Sequence, residues 1–263
     1  MADLDRRDGG HVPRGTEGDV TDVATIVPID KHEMAGLASV EYERLFGVLG
    51  SLAPGDWAAQ TTCDDWDIRA MVAHLLGAAE SNASLIESVR QLRAGRAWAR
   101  KHNRPEIDGI NAVQVDARAD LGPDELVARL RHVAPKAIAG RQKVPGPLRK
   151  VSVTNPAGGR MTMGHLLDRV YTRDQWMHRL DICTTIGTEP EITADHDRRI
   201  IEDVVAEWAV HEPGPWTLEL TGPAGGTYVS GGGGDPMRFD AVEYCLIVSG
   251  RTPSTLPMAQ IVF

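Results

Sequence analysis

The stretch that decides the fold is residues 67–79, DIRAMVAHLLGAA, in a chain of 263 residues. Its apolar residues recur at intervals of three and four, which is the spacing of one helix face. Asp67 stands directly before them, at the position of an N-cap. The pattern predicts a helix from Asp67 to about Leu92, and it places His74 on that helix.

Three further stretches show the same helical spacing. They cover residues 32–53, 123–140 and 163–187. Pro123 suits the first helical position, and Gly187 suits the position just past a helix end. Four helices joined by loops predict an antiparallel bundle. Residues 95–120 are polar and irregular, so they are predicted to be mostly loop.

The composition changes after Pro190. A helix over about 194–211, strands at 216–220 and 226–230, a helix at 240–248 and a last strand at 259–263 predict a small α+β domain. Residues 1–27 lack periodicity and predict a disordered tail. The fold class is therefore α+β, with a helical domain over 28–190 and a small domain over 191–263.

Charge and composition exclude several classes of protein. The chain has 28 Lys plus Arg and 37 Asp plus Glu, a formal charge of −9, which argues against binding of nucleic acid. It contains no run of 18 apolar residues and no apolar N-terminal segment, so neither a membrane span nor a secretory signal is expected. The scattered cysteines Cys63, Cys183 and Cys245 favour reduced thiols and a cytoplasmic protein.

Small residues surround His74 on its own helix. Ala70, Gly77, Ala78 and Ser81 lie three, four or seven positions away, where helical side chains share one face. Such a face leaves space for a metal ion and a ligand. The alternative is a buried structural histidine that bonds to a backbone carbonyl.

A second histidine follows a carboxylate by one helical turn. Asp174 and His178 point the same way on the last predicted helix. Asp181, three residues further on, can receive the free imidazole N–H and fix the tautomer. An ordinary Asp–His surface pair has the same spacing. His165 lies about 220° around the helix from His178 and is predicted to face elsewhere.

Two histidines and one carboxylate together make a metal shell. If the second and fourth helices face each other, His74, Asp174 and His178 can hold a divalent ion. Zinc fits this nitrogen and oxygen shell, as do nickel, cobalt and ferrous iron. Cys63 precedes the second helix, and the sequence leaves it open as a reactive thiol or a small buried residue.

Several segments, in the same order along the chain, resemble landmarks of the mycothiol-dependent maleylpyruvate isomerases of the DinB-like metalloprotein superfamily. They are residues 57–77, 108–112, 173–182 and 240–251. The resemblance implies a DinB-like four-helix bundle followed by a small α/β domain of sterol-carrier-like type.

The resemblance also implies a site. It implies a divalent metal, usually zinc, held by two histidines and a glutamate. His74 and His178 match the histidines, and Asp174 replaces the glutamate, a side chain one methylene longer. Asp181 and Arg251 match positions that the family uses for activity. Arg251 can bind a carboxylate of the substrate or cofactor, or it can be a structural ion pair.

The implied activity depends on mycothiol as the thiol cosubstrate. A metal-bound thiolate would attack a small electrophile, giving cis–trans isomerisation, as in a maleylpyruvate isomerase, or S-transfer. The implied partners are that electrophile and a low-molecular-weight thiol, with no nucleic acid and no membrane, in a monomer or homodimer. The alternative is a non-catalytic DinB-like protein that binds a metal or a small ligand.

Overall fold

The computed structural model describes residues 20–155, 159–254, 256 and 258–263. Its helices are α1 Lys31–Ser51, α2 Ile68–Ala83, α3 Leu85–His102, α4 Glu106–Asp116, α5 Pro123–Lys143, α6 Gly146–Arg149, α7 Met163–His165, α8 Tyr171–Thr185, α9 Asp197–His211 and α10 Ala241–Val248. Its strands are β1 Val20–Asp22, β2 Ser152–Thr154, β3 Arg160–Thr162, β4 Trp216–Thr221, β5 Gly226–Ser230 and β6 Pro236–Asp240. The predicted α+β class is confirmed.

The long helices α1, α2, α5 and α8 form the bundle. Asp67 is the N-cap of α2, where its Oδ1 accepts from the Ala70 N–H at 2.7 Å. A π-helical segment, Leu166–Val170, joins α7 to α8, so the predicted helix over 163–187 is one continuous helical unit. The bundle core consists mainly of Leu, Ile, Val, Met and Ala side chains from α1, α2 and α5.

The structure differs from the predictions at the end of one helix and in one segment that was predicted as loop. The helix that begins at Asp67 ends at Ala83 and not near Leu92, because Ser84 leaves the helical region and its hydroxyl caps α3. Residues 95–120, predicted as mostly loop, contain the end of α3 and all of α4. Beyond Leu92, the buried residues of α3 are Gly95 and Ala99, so no large buried apolar side chain marks the helix period there.

The small residues beside His74 serve helix packing. A Cβ on Gly77 would collide with the side chains of Gln114 and Arg118. Gln91 donates to the Gly77 carbonyl at 2.9 Å and accepts from Gln114 at 2.9 Å. The small face therefore receives α4 at this point, and the interpretation of Gly77 as part of a ligand cavity was wrong.

A four-stranded sheet, in the order β1-β5-β4-β6, packs against the bundle. Strands β1 and β5 are parallel, β5 and β4 are antiparallel, and β4 and β6 are parallel. Residues 1–27 were predicted to be a disordered tail. This prediction is wrong for Val20–Asp22, which form strand β1, and residues 1–19 lie outside the described residues. The strand predicted at 259–263 is wrong: these residues form no strand, and the Ile261 N–H donates to the carbonyl of Val248, the last residue of α10.

The bundle and the sheet share a hydrophobic core. Met34 and Leu37 of α1 and Trp176 of α8 belong to the same buried cluster as Leu218 and Tyr228 of the sheet. The predicted division at residue 190 therefore crosses a continuous core. None of the helices in the described ranges is long and apolar enough to cross a bilayer.

Helices α3 and α4 cross where two glycines meet. A Cβ on Gly109 would overlap the carbonyl oxygen of Gly95. We expect Gly109→Ala to lower the free energy of unfolding by about 1–3 kcal/mol through overpacking. Urea denaturation measures the loss. The control is Gly50→Ala on α1, where a Cβ meets open space. This change is expected to be neutral or stabilising by up to about 1 kcal/mol, and equal losses in both variants would contradict the close crossing.

Charged groups fasten α8 to α9. Glu207 of α9 accepts from Arg173 at 2.8 Å and lies 3.1 Å from Arg169 Nη2 and 3.3 Å from His165 Nε2. Burial favours the neutral carboxyl group, but His165, Arg173 and Arg169 outweigh it and lower the pKa of Glu207 from 4.5 to about 2. His165 therefore faces Glu207 of α9, in agreement with the prediction that it faces elsewhere than His178.

This lowered pKa makes Glu207 a source of acid sensitivity. The ionised Glu207 stabilises the fold above about pH 4.5, and this contribution is lost as the pH falls towards 2. We expect Glu207→Gln to be less stable than wild type near neutral pH and to lose less stability on acidification. Urea midpoints at about pH 6 and about pH 3 measure the difference. Glu125→Gln, at an exposed pair on α5, should follow wild type. An acid loss in Glu207→Gln as large as that of wild type would refute the assignment.

Candidate metal centre

The predicted ligands come together where α2 meets α8. His74 of α2 places Nε2 3.5 Å from Oδ2 of Asp174. His178, one turn beyond Asp174 on α8, places Nε2 3.3 Å from Oδ1. The two imidazole rings lie 5.3 Å apart, nearly perpendicular. Potential ligand atoms of the three residues lie within 4.8 Å of one another.

Within this cluster, the hydrogen-bonding capacity of His74 is not satisfied. Both of its ring nitrogens are buried, and neither forms a hydrogen bond within the described part of the chain. Its side chain is 7% exposed and that of Asp174 is 21% exposed. A buried polar group without a partner is costly. Two imidazole nitrogens and a carboxylate are donors that a divalent metal of the zinc type accepts, so the residues fit such an ion.

His178 is oriented from its other side. Its Nδ1 lies 3.0 Å from Oδ2 of Asp181, one turn further along α8. Burial disfavours the charged imidazole, but Asp174 and Asp181 raise the pKa of His178 to about 9. Against the effect of burial, His178 and His74 hold the pKa of Asp174 below its ordinary value, and His178 and Arg251 do the same for Asp181. A metal ion bound to His178 in place of a proton would be stabilised by the same negative charges of Asp174 and Asp181.

Arg251 reaches the centre from the end of α10. Its Nε lies 3.0 Å from Oδ1 and its Nη2 3.1 Å from Oδ2 of Asp181. The helix ends in a Schellman motif: Gly250 has φ +79°, its N–H bonds to Ile247, and the Arg251 N–H bonds to Leu246. This turn brings Arg251 back towards α8. The ion pair joins the last helix to the bundle, and a role in catalysis remains a prediction.

The loop over the centre, which we call the site loop, consists of residues 61–66. The Trp66 ring stacks on His74 at 4.7 Å and lies 5.7 Å from the His178 ring. The Thr62 hydroxyl donates to Oδ1 of Asp181 at 2.7 Å. Burial and the neighbouring Asp181 raise the pKa of Cys63 to about 11, so its thiol is protonated near neutral pH.

The structure brings the five predicted polar residues together, whereas the contacts of the site loop were not predicted. His74, Asp174, His178, Asp181 and Arg251 form one connected group. The aspartate in the glutamate position lies within 3.5 Å of a nitrogen of each histidine. Thr62 and Trp66 both lie in the recognised segment 57–77, but no helix period points to the contacts that their side chains make.

Comparisons with known proteins show the family and the fold of this chain. The family model described as the mycothiol maleylpyruvate isomerase N-terminal domain matches residues 39–183, which is more than half of the chain. The fold is similar to the crystal structure of the mycothiol-dependent maleylpyruvate isomerase, with a TM-score of 0.55 and 16% identity, over 92% of this chain and 100% of that one. A histidine-to-alanine mutant of that enzyme matches with a TM-score of 0.55 and 15% identity, over the same shares. No curated protein matches in sequence.

The metal content of the purified protein tests the centre directly. We expect about one divalent ion per chain in protein prepared without chelators or a histidine tag, and a loss of most of it in His74→Ala. Elemental analysis by plasma mass spectrometry measures both. His165→Ala is the matched control, because His165 lies on the same helical unit as His178 but faces Glu207. Equal metal in His74→Ala and wild type would exclude His74 as a ligand.

Proposed function

Because this chain belongs to the mycothiol maleylpyruvate isomerase N-terminal domain family, we propose that it is a metal-dependent enzyme that uses mycothiol. Its substrate class is a small electrophile, on which the thiol acts in a cis–trans isomerisation or an S-transfer. The observation that carries the proposal is the cluster of His74, Asp174 and His178, whose donor atoms face one another and are not all paired.

His74, Asp174 and His178 would hold the metal, for which zinc is the first candidate. When bound, the ion would act as a Lewis acid that lowers the pKa of a thiol. Asp181 supports the ligand set, because an N–H on His178 Nδ1 that points to the carboxylate leaves the Nε2 lone pair towards Asp174.

Arg251 offers a recognition group beside the cluster. Its Nε and Nη2 face Asp181, and its Nη1 donates no hydrogen bond within the described ranges. A planar guanidinium fixed by one carboxylate can present its remaining N–H groups to an anionic substrate. Asp181 would thus orient both His178 and Arg251.

The partners in this proposal are small molecules. The net charge of −9 supports the absence of a nucleic-acid partner. The cysteines Cys63, Cys183 and Cys245 are free thiols, which is consistent with the reducing conditions of a cytoplasm. We propose a cytoplasmic enzyme that acts as a monomer or a homodimer.

The second candidate is a metal-binding protein without turnover. The replacement of glutamate by Asp174 favours it, because a shorter side chain can change where the ion sits. His178→Ala separates the two roles. Loss of metal with little change in melting temperature supports an open catalytic site, whereas loss of the fold supports a structural ion.

The activity test uses the metal-loaded protein, mycothiol and two kinds of electrophile: a cis-configured activated alkene such as maleylpyruvate, and an alkylating agent. An isomerase converts the alkene and returns the thiol, whereas an S-transferase consumes one thiol per product. Product chromatography with thiol titration distinguishes them. We expect His74→Ala to lower kcat/KM at least about 100-fold, since it removes a ligand. Arg251→Lys should mainly raise KM, because lysine lacks the planar fork. If neither substrate is converted by the metal-loaded protein, the second candidate is favoured.

A further inference from the structure

One buried arginine of this chain has no acidic partner. Within the described ranges, the buried arginines are Arg118, Arg141, Arg173 and Arg179. Arg118, Arg173 and Arg179 each form an ion pair with a carboxylate. Arg141 is only 3% exposed, and it forms no ion pair in that part of the chain. A buried charge is costly unless an opposite charge compensates it, so Arg141 lacks the counterion that the other three have.

The hydrogen bonds of Arg141 go to neutral oxygens. Its Nε donates to the Leu167 carbonyl and its Nη2 to the Thr172 hydroxyl, both at 2.6 Å. Its Nη1 donates no hydrogen bond within the described residues. Asp168, whose charge acts on Arg141, pairs with Arg149 instead. Burial lowers the pKa of Arg141 from 12.5 to about 10, which is the effect of a charge whose loss of water is not offset.

Two tyrosines lie beside this guanidinium group. The Tyr171 ring of α8 is 5.9 Å from the guanidinium carbon of Arg141, and Tyr42 lies on α1. Both tyrosines are half-buried, and neither hydroxyl forms a hydrogen bond within the described chain. Burial raises the pKa of both hydroxyls, and the positive charge of Arg141 acts against this rise. The two hydroxyls and the free Nη1 are thus three donors that an anion could use.

This group adjoins the candidate metal centre. Tyr171 precedes Asp174 by three residues on α8, so the Cβ atoms of the two residues lie about 5–6 Å apart on one face. The negative charge of Asp174 raises the pKa of Tyr42 as well as that of Tyr171. The Asp174 side chain is 21% exposed. A small molecule that reaches Asp174 could therefore extend an anionic group towards Arg141.

We propose that Arg141, together with Tyr42 and Tyr171, forms a binding site for a carboxylate group beside the metal centre. The guanidinium supplies the opposite charge, and its Nη1 and the two hydroxyls supply hydrogen bonds. A carboxylate matches the single positive charge, whereas a phosphate dianion would leave a buried negative charge without compensation. Because two of its nitrogens are fixed by neutral oxygens, the guanidinium is already oriented when the anion arrives.

The carboxylate belongs to the electrophile, which makes the substrate class an anionic electrophile. This assignment to the substrate rests on the proposed function, but the anion site itself does not. Two experiments therefore test the two parts separately.

The chain contains four tyrosines, which makes the anion site visible by NMR. Full-length protein carrying ring-¹³C tyrosine is freed of metal, so that added acetate cannot bind a metal ion. We expect sodium acetate to shift the signals of Tyr42 and Tyr171, which are assigned with Tyr42→Phe and Tyr171→Phe. Acetamide, or sodium chloride at equal ionic strength, should not shift them. Tyr228 and Tyr244 are buried in the core shared with the sheet, and their signals should stay in place.

Arg141→Gln should abolish the acetate shifts, and its unchanged Tyr228 and Tyr244 signals would show that it is folded. Wild-type signals of Tyr42 and Tyr171 that ignore acetate would overturn the site without any variant. Equal shifts in Arg141→Gln and wild type would remove Arg141 from it.

Iodoacetate and iodoacetamide test the assignment to the substrate, using the metal-loaded protein and mycothiol. In both agents the thiolate sulfur bonds to carbon and iodide leaves, so the pair differs in the negative charge. After correction for the uncatalysed rates, we expect kcat/KM to favour iodoacetate by about 10- to 100-fold in wild type. Arg141→Gln should lose this preference, mainly through KM. Arg129→Gln, at an exposed pair on the same helix, should keep it.

The outcomes distinguish this inference from the proposed function. An equal preference in wild type and Arg141→Gln would show that the carboxylate of the substrate does not bind here. Conversion of neither agent would contradict the proposed function, while the tyrosine signals would still decide whether the anion site exists.

Discussion

The structure depends on the pairing of the charges that α8 carries into the interior. Arg173, Arg179 and Asp181 are each at most 1% exposed, and a buried charge is stable only with a partner. Each finds one on another element: Arg173 meets Asp203 of α9, Arg179 meets Glu41 of α1, and Asp181 meets Arg251 beyond α10. The helix is therefore fixed in position and in rotation by electrostatic contacts as well as by apolar packing.

The same constraint positions the residues of the candidate metal centre. With α8 fixed by its arginines, Asp174 lies next to His178 on α8 and faces His74 of α2. Asp181 then joins three separate parts of the chain, since it contacts His178, the site loop through Thr62 and the end of α10 through Arg251. A change in any of these parts would alter the orientation of the His178 ring, because Asp181 contacts its Nδ1 atom.

Local signals were sufficient where the physics is local. The Asp67 N-cap, Pro123 at the start of α5 and the strands β4 and β5 are short-range features, and the structure has them where they were predicted. Long-range features were not predictable. Strand β6 was not predicted, although its burial alternates at Met237 and Phe239; it pairs in parallel with β4. Strand β1 pairs in parallel with β5, a partner that lies about 200 residues away in the sequence and that no local pattern indicates.

The sequence by itself determined the helical bundle and the α+β class, because helix period and strand alternation can be read from neighbouring positions. It also predicted His74, Asp174, His178 and Asp181 from helix spacing, and Arg251 from the family resemblance, as residues of one site. The tertiary structure alone decided that Gly77 receives Gln114, that Trp66 covers His74 and that Cys63 lies beside His178. Those contacts join residues distant in sequence, and their geometry follows from how the helices pack, which no local pattern encodes.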